Sequence, residues 1–220
     1  MLKAVIFDMD GLMIDSEIVT YEGYAISLNK RGYKDSKDFY KTTLGTRPKM
    51  TCEMYKKYYG DDIPFYDILE EVHVYMEKRF DEEGIPLKKG IRELLSYLKD
   101  HGYKTIVATS SHKARVMKIF DKANLHSYFD DYICGDEVTN GKPDPEIFLK
   151  ACEKLNVDVK DVVVLEDSEM GIQASYSAGI DVICVPDMKY PDDPYKSMTL
   201  AVMDDLEIVL EYIKGLSNEI

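Results

Sequence analysis

The chain has 220 residues, 45% hydrophobic and 31% charged, with a formal net charge of −13. That length accommodates one substantial core plus a smaller domain, and the composition is that of a soluble globular protein. The acidic balance, with no Lys/Arg-rich run, argues against nucleic acid and anionic membranes as partners. An anionic substrate would then have to be met by a few local cations or a metal.

In chain order, Ala4-Val5-Ile6-Phe7 reads as a short buried strand running straight into Asp8, Asp10 and Gly11. Side chains at i and i+2 of an extended segment share a face, so Asp8 and Asp10 project together from the strand's carboxyl end. Two acids side by side repel unless a cation or a shared proton relieves them. The same acids interrupt the N-terminal apolar run, and no apolar stretch reaches membrane-spanning length, so neither a secretory signal nor a membrane span is expected. Cys52, Cys134, Cys152 and Cys184 are scattered without a C-x-x-C pair. They are expected as reduced, mostly buried thiols of a cytoplasmic protein, and a zinc site is not expected.

From about residue 16 to 82 the character changes. Ile18, Tyr21, Ala25 and Leu28 follow helical spacing, as do Phe65, Leu69, Val72 and Met76. Gly45-Thr46-Arg47-Pro48 and Gly60-Asp61-Asp62-Ile63-Pro64 read as turns between helices. This predicts a helical module inserted after the first strand. From Pro86 onward helix and strand alternate. Ile91, Leu94, Leu95 and Leu98 make a helix stripe, and Thr105–Ala108 a strand ending in Thr109-Ser110-Ser111. Val116, Ile119, Phe120 and Ala123 make the next stripe, and Tyr132-Ile133-Cys134 a short strand. Asp144-Pro145-Glu146 is a helix start with cap, first-turn proline and first-turn acid. Val162–Leu165 is a strand ending in Glu166-Asp167-Ser168, Asp181–Val185 is the last clear strand, and Leu206, Val209, Leu210 and Ile213 mark a terminal helix. Continuous apolar strands alternating with amphipathic helices predict an α/β protein, with a parallel sheet covered by helices on both faces and all strand carboxyl ends on one edge.

That edge would collect Asp8 and Asp10, Thr109 and Ser110, Lys142 from the loop Thr139–Asp144, and Glu166 with Asp167. Singly, each has an ordinary use: Lys142 as an exposed loop lysine, Thr109 as a strand end, Glu166-Asp167-Ser168 as a helix cap. Jointly, at four strand ends, they suit phosphoryl transfer. Magnesium takes oxygen ligands, and Asp8, the main-chain carbonyl of Asp10, and Asp167 could supply the protein share. The metal and Lys142 would neutralise the phosphoryl oxygens, with Thr109 and nearby amides holding them. One carboxylate can act as nucleophile while the other moves protons to and from the reacting oxygens.

Asp8-Met9-Asp10-Gly11, Thr109-Ser110-Ser111, Gly141-Lys142-Pro143 and Leu165-Glu166-Asp167-Ser168 resemble the four motifs of the haloacid dehalogenase superfamily, in its β-phosphoglucomutase-like branch. The resemblance covers nearly the whole chain. It implies a Rossmann-like, doubly wound core of residues 1–15 and 84–220, with an all-α cap of residues 16–83 inserted after the first motif. It implies Asp8 as nucleophile, Asp10 as general acid/base, and Thr109, Ser110 and Lys142 as phosphate-binding residues. Magnesium is the implied cofactor, held by Asp8, Asp10 and Asp167, with Glu166 completing the site. Thr20, Tyr21, Tyr24 and Arg47 of the cap would govern specificity.

The sequence departs from the sugar mutase in two places. The mutase has a histidine early in its cap where this chain has Thr20. Its Lys-Gly-x-x-Arg loop, which binds a second phosphate, is here Leu44-Gly45-Thr46-Arg47, without the lysine and with the arginine one position early. Both favour a phosphatase acting on a small phosphorylated metabolite, either a sugar, a polyol or a nucleoside monophosphate. The rival readings are a sugar-phosphate mutase and a catalytically idle phospho-ligand-binding protein. A small-molecule partner and a monomeric or weakly homo-oligomeric state are expected.

Overall fold

The computed structural model describes residues 1–46 and 48–218. The chain divides into two compact units, one of Met1–Asp15 with the segment from Ile85 on, the other Ser16–Gly84.

The first unit is an α/β sandwich around a parallel sheet. Its strands are β1 (Ala4–Phe7), β2 (Lys104–Ala108), β3 (Asp131–Ile133), β4 (Val162–Glu166), β5 (Asp181–Cys184) and β6 (Ala201–Val202). They lie in the order β3-β2-β1-β4-β5-β6. β1 pairs parallel with both β2 and β4, Phe7 lying opposite Val107 on one side and Leu165 on the other. All four β1 residues are buried because helices cover both faces, which explains a continuous apolar run in place of alternation. Val5, Phe7, Val107 and Leu165 pack with α5 (Ile91–Asp100), α6 (Lys113–Ala123) and α9 (Leu206–Asn218). Ala4, Ile6, Ile106 and Val164 pack with α7 (Glu146–Leu155) and α8 (Glu169–Ala178).

Chain order runs from β1 outward to β3 on one side, then returns to β4 and outward to β6. The strand order therefore reverses between β1 and β4, where ligands bind in open α/β sheets. β6 carries no sequence signal, since two half-buried residues are too few to show a period. α7 begins one position later than the pattern predicts, with Pro145 rather than Asp144 at its cap position. The helix starts at Glu146, and Asp144 Oδ1 accepts from the Glu146 amide at 3.0 Å. The four cysteines are buried and unbridged. Among the described residues, no helix is long and apolar enough to cross a membrane.

The second unit comprises α1 (Ser16–Lys30), α2 (Lys37–Thr43), α3 (Pro48–Tyr59) and α4 (Phe65–Glu83). α1 packs against α4. The buried face of α1 is Val19, Gly23, Tyr24, Ser27 and Leu28, rotated from the predicted stripe of Ile18, Tyr21, Ala25 and Leu28. Small and polar residues turn it: Ser27 Oγ donates to Glu71 Oε2 at 2.6 Å, an interaction that hydrophobic periodicity does not register. Arg31 forks onto both Glu71 oxygens at 2.8 and 2.9 Å, holding that carboxyl down at about 2. Tyr24, Tyr40, Tyr55 and Phe65 form an aromatic cluster in this unit, so several of its tyrosines serve as core.

Candidate active site

The site begins where β1 stops. The Asp8 amide donates to Leu165 O at 3.0 Å, extending the β1–β4 ladder by one residue and fixing the root of the Asp8 side chain. The chain then turns through Gly11, whose φ of +82° lies in the left-handed region. A β-carbon there would sit 2.1 Å from Asp167 Oδ2, so the glycine serves both the turn and the close approach of the acid after β4. The turn closes with Ile14 N on Met9 O at 3.1 Å. The outgoing chain is tied to the returning one by Asp15 N on Pro86 O and Lys88 N on Met13 O.

Lys142 enters from the loop before α7 and is nearly buried. Its Nζ donates to Asp8 Oδ1 at 2.5 Å, Glu166 Oε1 at 2.6 Å and Ala108 O at 3.2 Å, which uses all three ammonium hydrogens. The loop is pinned by Glu146, whose two carboxylate oxygens accept from the amides of Thr139 and Asn140. Glu166 is fully buried, and its other oxygen accepts from the Ser168 amide and hydroxyl at 2.7 and 2.9 Å. Gly171 makes the room: a β-carbon there would fall 1.8 Å from Glu166 Oε1. Ser168 also caps α8 by accepting from the Gly171 amide, so the capping use of this motif falls to Ser168 while Glu166 holds Lys142.

Asp8, Glu166 and Asp167 each offer an oxygen within 4.8 Å of the others. Two carboxylates against one ammonium in a dry pocket leave excess negative charge. Burial, and then repulsion from Glu166, push the Asp8 carboxyl up to about 7 despite Lys142. Burial works against the charged form of Lys142, but attraction to Asp8 and Glu166 outweighs it and its pKa rises. A cluster of oxygen donors with surplus negative charge fits a hard divalent cation such as magnesium.

The remaining predicted residues are placed as follows. Thr109 is buried, its Oγ1 accepting from the Ser111 amide at 3.1 Å, whereas Ser110 is exposed. The Asp10 side chain is not among the three gathered acids; its Oδ2 pairs with Arg115 Nη1 at 2.6 Å and Ser111 Oγ at 2.8 Å. Arg115 was not found by sequence reasoning, and Glu146 was read only as a first-turn acid, not as the pin of the Lys142 loop. The one available signal was that Arg115 follows Ser111 by four residues, a spacing equally normal on a solvated helix face. In the helical unit, Thr20 and Tyr24 line a cavity of about 190 Å³ together with Glu17, Tyr40, Thr46 and Thr51. Thr20 Oγ1 donates to Ser16 O at 2.8 Å. Arg47 lies outside the described residues.

Residues 5–185 match the family model of the haloacid dehalogenase-like hydrolases, and the chain belongs to that family. A phosphorylated carbohydrates phosphatase of Thermotoga maritima is 34% identical over 182 residues, covering 83% of this chain and 84% of the relative. Hexitol phosphatase B of Escherichia coli is 31% identical over 195 residues, covering 88% and 87%. The crystal structure of β-phosphoglucomutase from Clostridium difficile superimposes with a TM-score of 0.75 over 100% of this chain and 98% of that one. At 24% identity that likeness concerns the fold.

Proposed function

We propose that the chain, a phosphoric monoester hydrolase of this family, releases phosphate from a small phosphorylated sugar, polyol or nucleoside by way of an aspartyl-phosphate on Asp8. The observation carrying this is the Asp8–Lys142–Glu166 network at the reversal of strand order, with Asp167 beside it. In this reading residues 1–15 and 84–220 are the catalytic core, and residues 16–83 are the cap that selects the substrate.

Asp8 attacks phosphorus through a carboxylate oxygen while Asp10 protonates the departing alkoxide. Asp10 then takes a proton from water as the water attacks the phosphorylated Asp8. Lys142 meets the phosphoryl oxygens by exchanging one of its three partners, the longest being Ala108 O. Thr109 already uses its oxygen as an acceptor, which orients its hydroxyl hydrogen toward the same group; the amide of Ser110 is available beside it. Magnesium, when bound, supplies charge neutralisation at the phosphoryl group. Asp8, Asp167 and the main-chain carbonyl of Asp10 would hold it, with Glu166 behind them through Lys142.

The substrate class is supported by the relatives, a phosphorylated carbohydrates phosphatase and a hexitol phosphatase, and by the cavity in residues 16–84. Its described lining is mainly rings and hydroxyls with the Glu17 carboxylate, a surface suited to sugar hydroxyls. Hydrolysis is favoured over mutase chemistry because position 20 offers a hydroxyl already engaged within its own helix, where the mutase has an imidazole. The test is turnover of a panel of sugar, polyol and nucleoside monophosphates with magnesium and with EDTA, combined with acid quench to trap phosphate on Asp8. Acid-stable absence of that adduct would end the covalent reading. Conversion of β-glucose 1-phosphate to glucose 6-phosphate faster than phosphate release would end the hydrolase reading.

A further inference from the structure

Asp10 is held unlike Asp8 and Glu166, which share Lys142. Its Oδ2 accepts from Arg115 Nη1 at 2.6 Å and Ser111 Oγ at 2.8 Å, and the same Arg115 nitrogen lies 2.7 Å from Ser111 Oγ. These groups come from one place: Ser111 sits in the turn after β2 and Arg115 in the first turn of α6, four residues on, so hydroxyl and guanidinium arrive together. Ser111 is itself fixed, its amide donating to Thr109 Oγ1 and its carbonyl accepting from the Gly135 amide at 2.9 Å. Gly135 is obliged to be small, because a β-carbon there would lie 2.2 Å from Ser110 O. The chain thus anchors a clamp whose working end is one oxygen of Asp10. None of the contacts made by Lys142 or Glu166 involves it.

We propose that Arg115, acting with Ser111, is the positioning residue of the proton-transferring carboxylate. The inference rests on the aspartyl-phosphate reading above and adds to it what holds the proton-transferring acid in place. A carboxyl rotates freely about its terminal torsion, which is broad and roughly two-fold. With Oδ2 gripped by two donors, that rotation is restrained and the acid is held in one orientation for proton transfer. In the first step a bond forms from an Asp8 carboxylate oxygen to phosphorus, the bond from phosphorus to the ester oxygen breaks with its electron pair staying on that oxygen, and the proton on Asp10 passes to it. In the second, water adds to the same phosphorus, its proton passes to Asp10, and the bond between phosphorus and Asp8 breaks with its electron pair returning to the Asp8 carboxylate. The guanidinium stays on Oδ2 throughout, and its planar fork makes it better suited to this than an ammonium.

The experiment uses the full chain with magnesium and the variants Arg115→Ala, Arg115→Lys and Ser111→Ala, with thermal melting to verify folding. If Arg115→Ala fails to fold, the other two carry the test. A nitrophenolate leaves without a proton, so on p-nitrophenyl phosphate the stopped-flow burst should stay within about threefold of wild type in Arg115→Ala. The second step still needs Asp10, so steady-state phosphate release should fall by about tenfold or more and the phosphorylated protein should accumulate under acid quench. On an alkyl substrate such as a hexitol phosphate, kcat should fall by about 10–100-fold, with Arg115→Lys recovering part of the loss and Ser111→Ala showing the smaller defect. Equal losses in burst and steady state, a loss confined to KM, or a lysine variant no better than alanine would each overturn the proposal. A wild-type protein that forms no phosphorylated Asp8 would overturn the covalent reading itself, and with it the step Arg115 is said to serve.

Discussion

The edge of the sheet and the cavity of the helical unit solve opposite problems. At the sheet edge, charged groups are buried together: Glu166 fully, Asp8 and Lys142 nearly so, every ammonium hydrogen committed. Such groups are costly to desolvate and tolerate little displacement, and each is rooted in a strand end or a pinned loop. In the helical unit the described lining is neutral apart from Glu17. Burial there pushes the Tyr24 phenol up, and burial with the negative Glu17 does the same for Tyr40, so both remain protonated donors. A preorganised cluster of charge suits one reaction on one group common to many substrates. A cavity of hydroxyls and rings can change its preference by single substitutions without touching that reaction.

The predictions test whether the two regions are separable in this way. The largest effect belongs to Asp8→Asn, which keeps the shape and removes the nucleophile. Phosphate release from every substrate should drop to background, by about 10⁴-fold or more, while the melting transition survives. Lys142→Ala should cost about 10²–10³-fold in kcat, equally on p-nitrophenyl phosphate and on a polyol phosphate, because the phosphoryl group is shared. A loss specific to the polyol would mean that the sheet edge also selects.

Next comes Gly171→Ala, which forces a methyl against Glu166. The expected cost is about 1–3 kcal/mol by denaturant unfolding, with a weakened magnesium requirement curve, and no change in which substrates are preferred. Thr20→Ala or Tyr24→Phe should move KM for sugar and polyol phosphates by about 2–10-fold, the worth of one hydrogen bond, leaving p-nitrophenyl phosphate unchanged. Equal effects on both substrates would dissolve the division of labour.

A pH effect should also divide the two units. Arg31 and Ser27 hold the Glu71 carboxyl down at about 2 against an ordinary value of 4.5. A depressed carboxyl stabilises above its unfolded value and loses that contribution as pH falls through the folded one. Glu71→Gln should therefore flatten the acid dependence of stability between about pH 4.5 and 2, read as Tm against pH, while leaving the pH dependence of kcat at neutral pH unchanged. In the metal-free protein the sign is opposite at Asp8. Its raised carboxyl favours the fold below about 3.8 and costs stability as pH rises toward about 7, a slope that Asp8→Asn should remove.

The sequence by itself determined the sheet and its loaded edge. Short β-branched runs such as Val162–Leu165 read as strands buried on both faces, and parallel strands put Asp8, Thr109, Lys142 and Glu166 on one side of the fold. It also placed Thr20 and Tyr24 in the helical insert. What it could not determine depends on pairs brought together by folding. Whether Glu166 or Asp167 takes Lys142 turns on one being last in β4 and the other first beyond it, on opposite faces of the pleat, and on Gly171 leaving room. The grip of Arg115 on Asp10 joins residues 105 apart, and no local period announces it. The buried face of α1 escaped too, because hydrophobic spacing ranks Ile18 above Gly23 and Ser27. Tertiary packing chose the small residues, which let the Ser27 hydroxyl reach Glu71. Periodicity reports what must leave water, whereas close approach, charge pairing and the choice between adjacent acids are properties of contacts that exist only once the chain is folded.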